Sequence, residues 1–459
     1  MLEWLQRVVS WTHGCRVIWR GLPLITALLA VSTATAAPVL SSSLIRVAGI
    51  PIDFVLFGLT LVGVVVFHNQ SLKIAVAGAV TIALYKILFT GFSVGTGVGG
   101  FGLHMAHEWV VLTNLLCLLT GFALLSRHFE KSQAPAVMQK YLTSDWQGAF
   151  VLLVMVFGLS AFLDNIAGAL VGGAMAHQLF RARVHIGYLA AIVAASNAGG
   201  SGSVVGDTTT TMLWISGVSP VDVVEAYIGA GAALFIFGIP AALQQHKYSP
   251  ILKNTGPHAR LDWGHIAIVG LILLFAVVTN VVVNLTFNTM ADRFPFIGVA
   301  VWVAILISLP WRRPDWEVLP TALKGAFFLL SLVTCASMMP VEELPKATWG
   351  GTLGLGFFSA VFDNIPLTAI AIKQGGYDWG FLAYAVGCGG SMIWFGSSAG
   401  VALMSMYPEG KSVWLWLKHG WHVAVAYVVG FFVLLAVLGW HPDTPPNTIV
   451  TPLPQATAE

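Results

Sequence analysis

Three aspartates fall where an apolar chain offers them no water. Asp164 and Asp363 stand at the centres of two long apolar stretches, 148–180 and 347–375, and Asp207 follows a glycine-rich run in a third. An ionised Asp at the middle of a spanning helix costs roughly 2.5–3.5 kcal/mol on insertion scales, so it persists only when paired, solvated or functional. Asn165 and Asn364 come directly after two of them. An amide offers an oxygen to a cation and an NH₂ group to a carbonyl, so an Asp-Asn pair can both ligate and cap a helix start. Gly199, Gly200, Gly202 and Gly206 predict an unwound stretch inside a helix, with carbonyls exposed beside Asp207, Thr208 and Thr209. Oxygen-rich, thiolate-free surroundings suit a hard cation such as Na⁺, or a proton on a carboxylate. Asp164, Asp207 and Asp363 are therefore the candidate Na⁺ ligands. Against this stand two plain structural roles, helix capping for the Asp-Asn pairs and close helix packing for the glycines.

The elements that must position these residues come in two copies. Leu159-Ser160-Ala161-Phe162-Leu163-Asp164-Asn165-Ile166 matches Phe358-Ser359-Ala360-Val361-Phe362-Asp363-Asn364-Ile365. Downstream, Gly199-Gly200 and Gly206-Asp207-Thr208 match Gly389-Gly390 and Gly396-Ser397-Ser398, with five residues between the blocks in both copies. A repeat of this length is the signature of a duplicated unit.

Composition names the solvent. Of 459 residues, 57% are hydrophobic and 9% charged, against about 25% charged in a soluble domain. The chain reads as an all-α polytopic membrane protein whose first partner is the lipid bilayer. A net charge of +2 gives no basic field for nucleic acid and leaves the sign of a substrate open. Four scattered cysteines form neither a zinc site nor a disulfide framework and read as packing residues. Many of the 17 tryptophans, among them Trp109, Trp214, Trp263, Trp311, Trp379 and Trp421, fall near the ends of apolar runs and read as an interfacial belt.

About 11 spans are expected, near 21–40, 50–67, 72–92, 108–126, 186–215, 222–245, 264–286, 296–311, 319–339, 380–406 and 421–440. The first could also be read as a signal-like helix ending at Ala34-Thr35-Ala36, although its apolar length suffices to cross. The stretches 148–180 and 347–375 are each long enough for two half-helices that enter and leave on one side. With both re-entrant and the N-terminus cytoplasmic, sixteen of the 22 Lys and Arg lie inside and four outside, which satisfies the positive-inside rule. Treating 148–180 as a full crossing would put Lys247, Lys253, Arg260, Arg312 and Arg313 outside. An odd number of crossings separates the two hairpins, so the halves are inverted. The expected organisation is an N-terminal segment 1–49, a first repeat 50–245, a cytoplasmic linker 246–263, a second repeat 264–440 and an external tail 441–459. Lys86, Lys324 and Lys373 are expected to snorkel. Asp53 and Asp378 read as interfacial, and His104, His107 and Glu108 as a solvated cluster at an outer helix entrance.

At its motifs the sequence resembles the ion-transporter superfamily, and within it the NhaD-type sodium/proton antiporters. Ser196-Asn197-Ala198-Gly199-Gly200 through Gly206-Asp207-Thr208-Thr209-Thr210-Thr211 is similar to that family's Asn-Ala-Gly-Gly to Gly-Asp-x-Thr-Thr block. Phe362-Asp363-Asn364-Ile365-Pro366 resembles its second hairpin, and Gly396-Ser397-Ser398-Ala399-Gly400 its late Gly-Ser element. Where the family tends to place threonines after the first Asp-Asn, this chain has Ile166-Ala167-Gly168, which removes hydroxyls from the first tip. The resemblance implies a scaffold domain and a transport domain, often dimeric, that moves its site in an elevator-like way in a bacterial inner membrane. It also implies site roles for Asp164, Asn165, Asn197, Asp207, Thr208, Asp363, Asn364, Ser397 and Ser398.

The function expected is secondary active transport, foremost exchange of Na⁺ or Li⁺ for protons. A carrier of citrate, another carboxylate or an oxyanion is a second reading, because the superfamily holds such members and hairpin N-termini can face an anion. A scaffold that no longer transports is a third. No catalytic motif for an enzyme is present, and no cofactor is expected beyond the transported ion or proton.

Overall fold

The computed structural model describes residues 46–443, apart from 48, 68–69, 135–136, 138–141, 252–259 and 287–292. The chain divides into Met1–Ile45 and Arg46–Glu459. The expected first span and tail, and much of the linker, lie outside the described residues.

After a short hairpin of β1 (Arg46–Val47) and β2 (Ile50–Pro51), the described structure is helical. The first run comprises α1 (Ile52–Val66), α2 (Ser71–Tyr85), α3 (Gly97–Lys131), α4 (Trp146–Ser160), α5 (Asn165–Leu179), α6 (Ile186–Ser201), α7 (Thr208–Ile215), α8 (Pro220–Val224) and α9 (Ala226–Tyr248). The second comprises α10 (Trp263–Thr286), α11 (Phe296–Ser308), α12 (Leu319–Ser337), α13 (Trp349–Ser359), α14 (Asn364–Gln374), α15 (Trp379–Gly389), α16 (Ser398–Met406) and α17 (Val413–Leu438). Among the described residues, five helical stretches are long and apolar enough to cross a membrane: Ser71–Thr90, Gly97–Lys131, Pro220–Tyr248, Trp316–Ser337 and Val413–Leu438. The 35 residues of α3 span about 52 Å at 1.5 Å per residue, longer than the 108–126 expected and longer than a hydrocarbon core of about 30 Å.

Packing sorts the helices into two groups. Neighbours in one group run in the order α1, α2, α12, α3, α11, α10, so helices from the two halves of the chain mesh at α3 and α12. Polar caps fix the joints in this row. The N–H of Gly298, in the first turn of α11 and without a helical partner of its own, donates to Asn114 Oδ1 on α3 at 3.0 Å. Trp302 Nε1 donates to the Cys117 carbonyl at 3.1 Å on the same contact. In the other group, α9 and α17 lie together against α6, and both short-helix pairs, α4–α5 and α13–α14, pack on the broken helices. α6 is buried along almost its whole length, as is α15. A helix apolar on every side belongs in an interior.

Several expectations change. Trp214 and Trp379 are buried packing residues (1% and 3% exposed), whereas Trp263, Trp311 and Trp421 are exposed as a belt would be. Lys86 does not snorkel. It sits at the start of a π-helical turn, Lys86–Thr90, and pairs with buried Asp53 at 3.3 Å, because an ammonium held inside must find a counter-charge. Asp378 is likewise buried, accepting from the backbone of Phe381 at 3.3 Å as the N-cap of α15 and from the His441 N–H at 2.8 Å. His104 is inside α3 and buried, with Nε2 3.1 Å from Ser337 Oγ and its ring stacked on Phe92.

Candidate ion site

Each Asp-Asn pair sits at a short break between two consecutive helices. The first joins α4 to α5 and the second α13 to α14. Asp164 and Asp363 have the same backbone angles, φ −51° and ψ 141°. The extended conformation just before a helix leaves the first N–H groups of α5 and α14 open to a ligand or cap. The broken helices are equally alike. Asp207, before α7, has φ −143° and ψ 146°, and Ser397, before α16, has φ −141° and ψ 152°.

The breaks fall at 202–207 and 390–397, a few residues later than the glycine pairs suggested. Gly199 and Gly200 are still helical, and their function is close approach. A Cβ at Gly199 would run into the Phe157 carbonyl of α4, and one at Gly200 would meet the Gly206 carbonyl at 2.7 Å. The packing reading is the correct one for this pair.

Asp207 is the hub. It is 2% exposed. Asn165 Nδ2 donates to its Oδ1 at 3.1 Å, while Asn364 Nδ2 at 3.3 Å and Thr209 Oγ1 at 2.8 Å donate to its Oδ2. One carboxylate thus ties the two hairpin tips together. Asn165 Nδ2 also reaches Asn197 Oδ1 at 3.1 Å, and Asn197 Nδ2 donates to Ser391 Oγ at 2.9 Å and Ser397 Oγ at 3.0 Å. The first tip is therefore wired to both breaks. Every side-chain hydrogen bond that Asp207 makes is one it accepts.

One cavity reaches this hub, and a second reaches Asp363. One, of about 50 Å³, is lined by Asp164, Asp207, Thr208 and Thr211 together with apolar side chains of α3. That is room for a water or a small cation, given about 30 Å³ per liquid water. The other, of about 840 Å³, opens between α1, α2, α12 and the second tip, with Asp363 and Ser398 in its lining. Asp363 is already engaged. Its Oδ1 caps the Ile365 N–H at 3.2 Å and its Oδ2 accepts from Ser398 Oγ at 2.9 Å.

The expected residues are thus brought together, with three adjustments. Among the described residues no three acidic, His or Cys side chains converge as a metal cluster. Asp164 and Asp207 share a cavity, and Asp363 faces another. Thr209 as well as Thr208 belongs to the site. Lys373 neither snorkels nor pairs with Asp363. Its Nζ donates to the Ser337 and Met339 carbonyls, both at 2.6 Å, and so ties α14 to the C-terminal end of α12.

Sequence reasoning missed two residues. Ser391 follows Gly389-Gly390 as Ser201 follows Gly199-Gly200, so the repeat extended by one residue would have found it. Gly387 stands opposite Asn197 in the repeat, and a Cβ there would meet Ser201 at 3.0 Å and Asp207 Oδ2 at 3.7 Å.

Fold and site together define a multi-pass, all-α membrane protein with a buried polar centre between two helical reversals. Its relatives are transporters by name and not enzymes. The chain is 25% identical over 403 residues to sodium/proton antiporter 1 of Arabidopsis thaliana, covering 77% of this chain and 67% of the relative. It is 24% identical over 413 residues to sodium/proton antiporter 2 of the same plant (82% and 97%). A third relative, the Na⁺/H⁺ antiporter NhaD of Alkalimonas amylolytica, is 24% identical and aligned over 95% of this chain and 97% of its own length. No protein-family model matches the chain. The resemblance to NhaD-type sodium/proton antiporters therefore extends over most of the chain.

Proposed function

We propose that this protein is a secondary active transporter that exchanges Na⁺ or Li⁺ for protons, with Asp207 and Asp164 as the competing seat. The reading rests above all on one observation, that Asp207 receives a hydrogen bond from each hairpin tip while facing, with Asp164, a cavity of ion size.

The chemistry follows from the oxygens that meet at the small cavity. The carboxylates of Asp207 and Asp164 and the hydroxyl of Thr208 line it together, and such oxygens suit a hard monovalent cation. A proton on either carboxylate removes charge that holds the cation, and a cation disfavours the proton. That exclusion couples the two flows.

The same reading takes the matched angles and the interleaved helix row as the product of two inverted halves, 50–245 and 264–440. The row from α1 to α10 is then the scaffold, and the hairpins with their broken helices are the moving body. The N-terminus is cytoplasmic and the membrane is a bacterial inner membrane.

The test is exchange in proteoliposomes carrying a pH gradient, with Na⁺, Li⁺, K⁺ and citrate added in turn. Na⁺ or Li⁺ is expected to collapse the gradient. With one proton competing per cation, the apparent Na⁺ affinity should fall about tenfold for each unit of pH lowered in the range where the proton outcompetes it. A response to citrate alone would replace the cation reading by the anion carrier.

A further inference from the structure

The 840 Å³ cavity is larger than a cation needs and its lining is of the wrong kind for one. It lies in the range of about 300–1,000 Å³ that accommodates bulky organic ligands. Most of its wall is apolar, including Leu61, Val64, Phe328, Leu332 and Phe395. Its polar groups come from two sets of elements. Asp363 and Ser398 are already bonded to each other. Gln70, Ser71 and Lys73 come from the start of α2, and Thr321 and Lys324 from the first turns of α12.

Both lysines are exposed, and among the described residues neither makes an ion pair. α2 has no side-chain cap, so the positive end of its helix dipole adds to the two ammonium groups. Two cations at the mouth oppose entry of a third. They favour an anion, and the apolar wall behind them favours hydrocarbon. Basic pockets between membrane helices bind anionic lipid headgroups in this way.

We propose that this cavity is a binding site for an anionic phospholipid. The headgroup phosphate lies between Lys73 and Lys324, and an acyl chain runs inward along α1 and α12 toward the second tip. Asp363 tolerates the chain end because both its oxygens already have donors. The lipid is thereby wedged between α1–α2–α12 and the second hairpin. This assignment does not depend on which ion the protein carries, since it is tested by binding alone.

The experiment is native mass spectrometry of the detergent-purified full chain titrated with dioleoyl phosphatidylglycerol, dioleoyl phosphatidylethanolamine or glycerol phosphate. Phosphatidylglycerol should be retained in preference to phosphatidylethanolamine, and glycerol phosphate should not bind. Each lysine near a membrane surface contributes about fivefold, so K73Q/K324Q should weaken phosphatidylglycerol binding about 25-fold. K411Q/K418Q, which removes the same charge elsewhere, should leave it unchanged. A photoreactive acyl chain should label α1, α12 and Phe395. Equal retention of both lipids, equal loss in the control variant, labelling spread over α10 and α11, or binding of glycerol phosphate alone would each overturn the proposal. The last two would leave the cavity a water-filled passage or a free anion site.

Discussion

The two hairpin tips have one backbone and two chemistries. Asp164 and Asp363 share φ and ψ, each precedes an Asn that donates to Asp207, and each follows a Ser-Ala reversal. Yet Asp363 is held twice, by the Ile365 N–H and Ser398 Oγ, whereas Asp164 makes no capping bond to α5. The break beside the first tip brings a carboxylate, Asp207, where the second brings the hydroxyl of Ser397. The first tip faces a space of about 50 Å³ and the second one of about 840 Å³. Duplicated geometry sets where a side chain can be, and the residue placed there decides whether its oxygens remain available. On the function proposed above, the first half would carry the ion chemistry and the second would hold its partner in position.

Between the two tips, the largest effect should come from Asp164→Asn. Two charges 4 Å apart at an effective dielectric of 20 interact by roughly 4 kcal/mol, so losing this carboxylate should weaken apparent Na⁺ affinity by roughly two to three orders of magnitude. Titration of Na⁺-driven proton efflux in proteoliposomes measures it. Asp363→Asn keeps the shape and loses a charge that faces the other cavity, and Ser398→Ala removes one charge-assisted bond. In the same assay each should shift Na⁺ affinity by about tenfold, the lower end of the scale of one hydrogen bond to a charged group. If the two aspartates proved equal, the division between the halves would be wrong.

The tips also differ in attachment. Lys373 ties the second hairpin to α12, while Ala174 occupies the matching position in the first. Lys373→Met removes two bonds from an ammonium to buried carbonyls, and should cost roughly 3 kcal/mol of stability, read as a lower unfolding temperature. Ala174→Ser, at the same place in the first hairpin, should change it little.

Much of this was legible because lipid is an unforgiving solvent. Asp164, Asp207 and Asp363 stood out against apolar neighbours, and two copies of Ser-Ala-x-x-Asp-Asn-Ile located both reversals. What was not legible depended on partners distant in sequence. Asp53 finds Lys86 33 positions away, and His104 finds Ser337 across 233. Without that partner a buried residue reads as interfacial, which is how both were misjudged. Lys373 failed for another reason. Its partners are main-chain carbonyls at a helix end, which every sequence possesses and none advertises. Gly199 and Gly200 were read together with Gly202 and Gly206 as an unwound stretch because glycine permits it; the break holds the latter two, whereas at the first pair the missing Cβ serves backbone contact with α4 and with the break.

The most direct test of the account is Asp207→Asn, reconstituted beside the unaltered protein and assayed for Na⁺-dependent collapse of a pH gradient. The substitution preserves size while replacing an acceptor of three donors by a group that can accept at one atom only. The account predicts a folded protein with no Na⁺- or Li⁺-dependent proton movement at any pH. Full exchange in the variant would contradict it and remove Asp207 from the centre of the site.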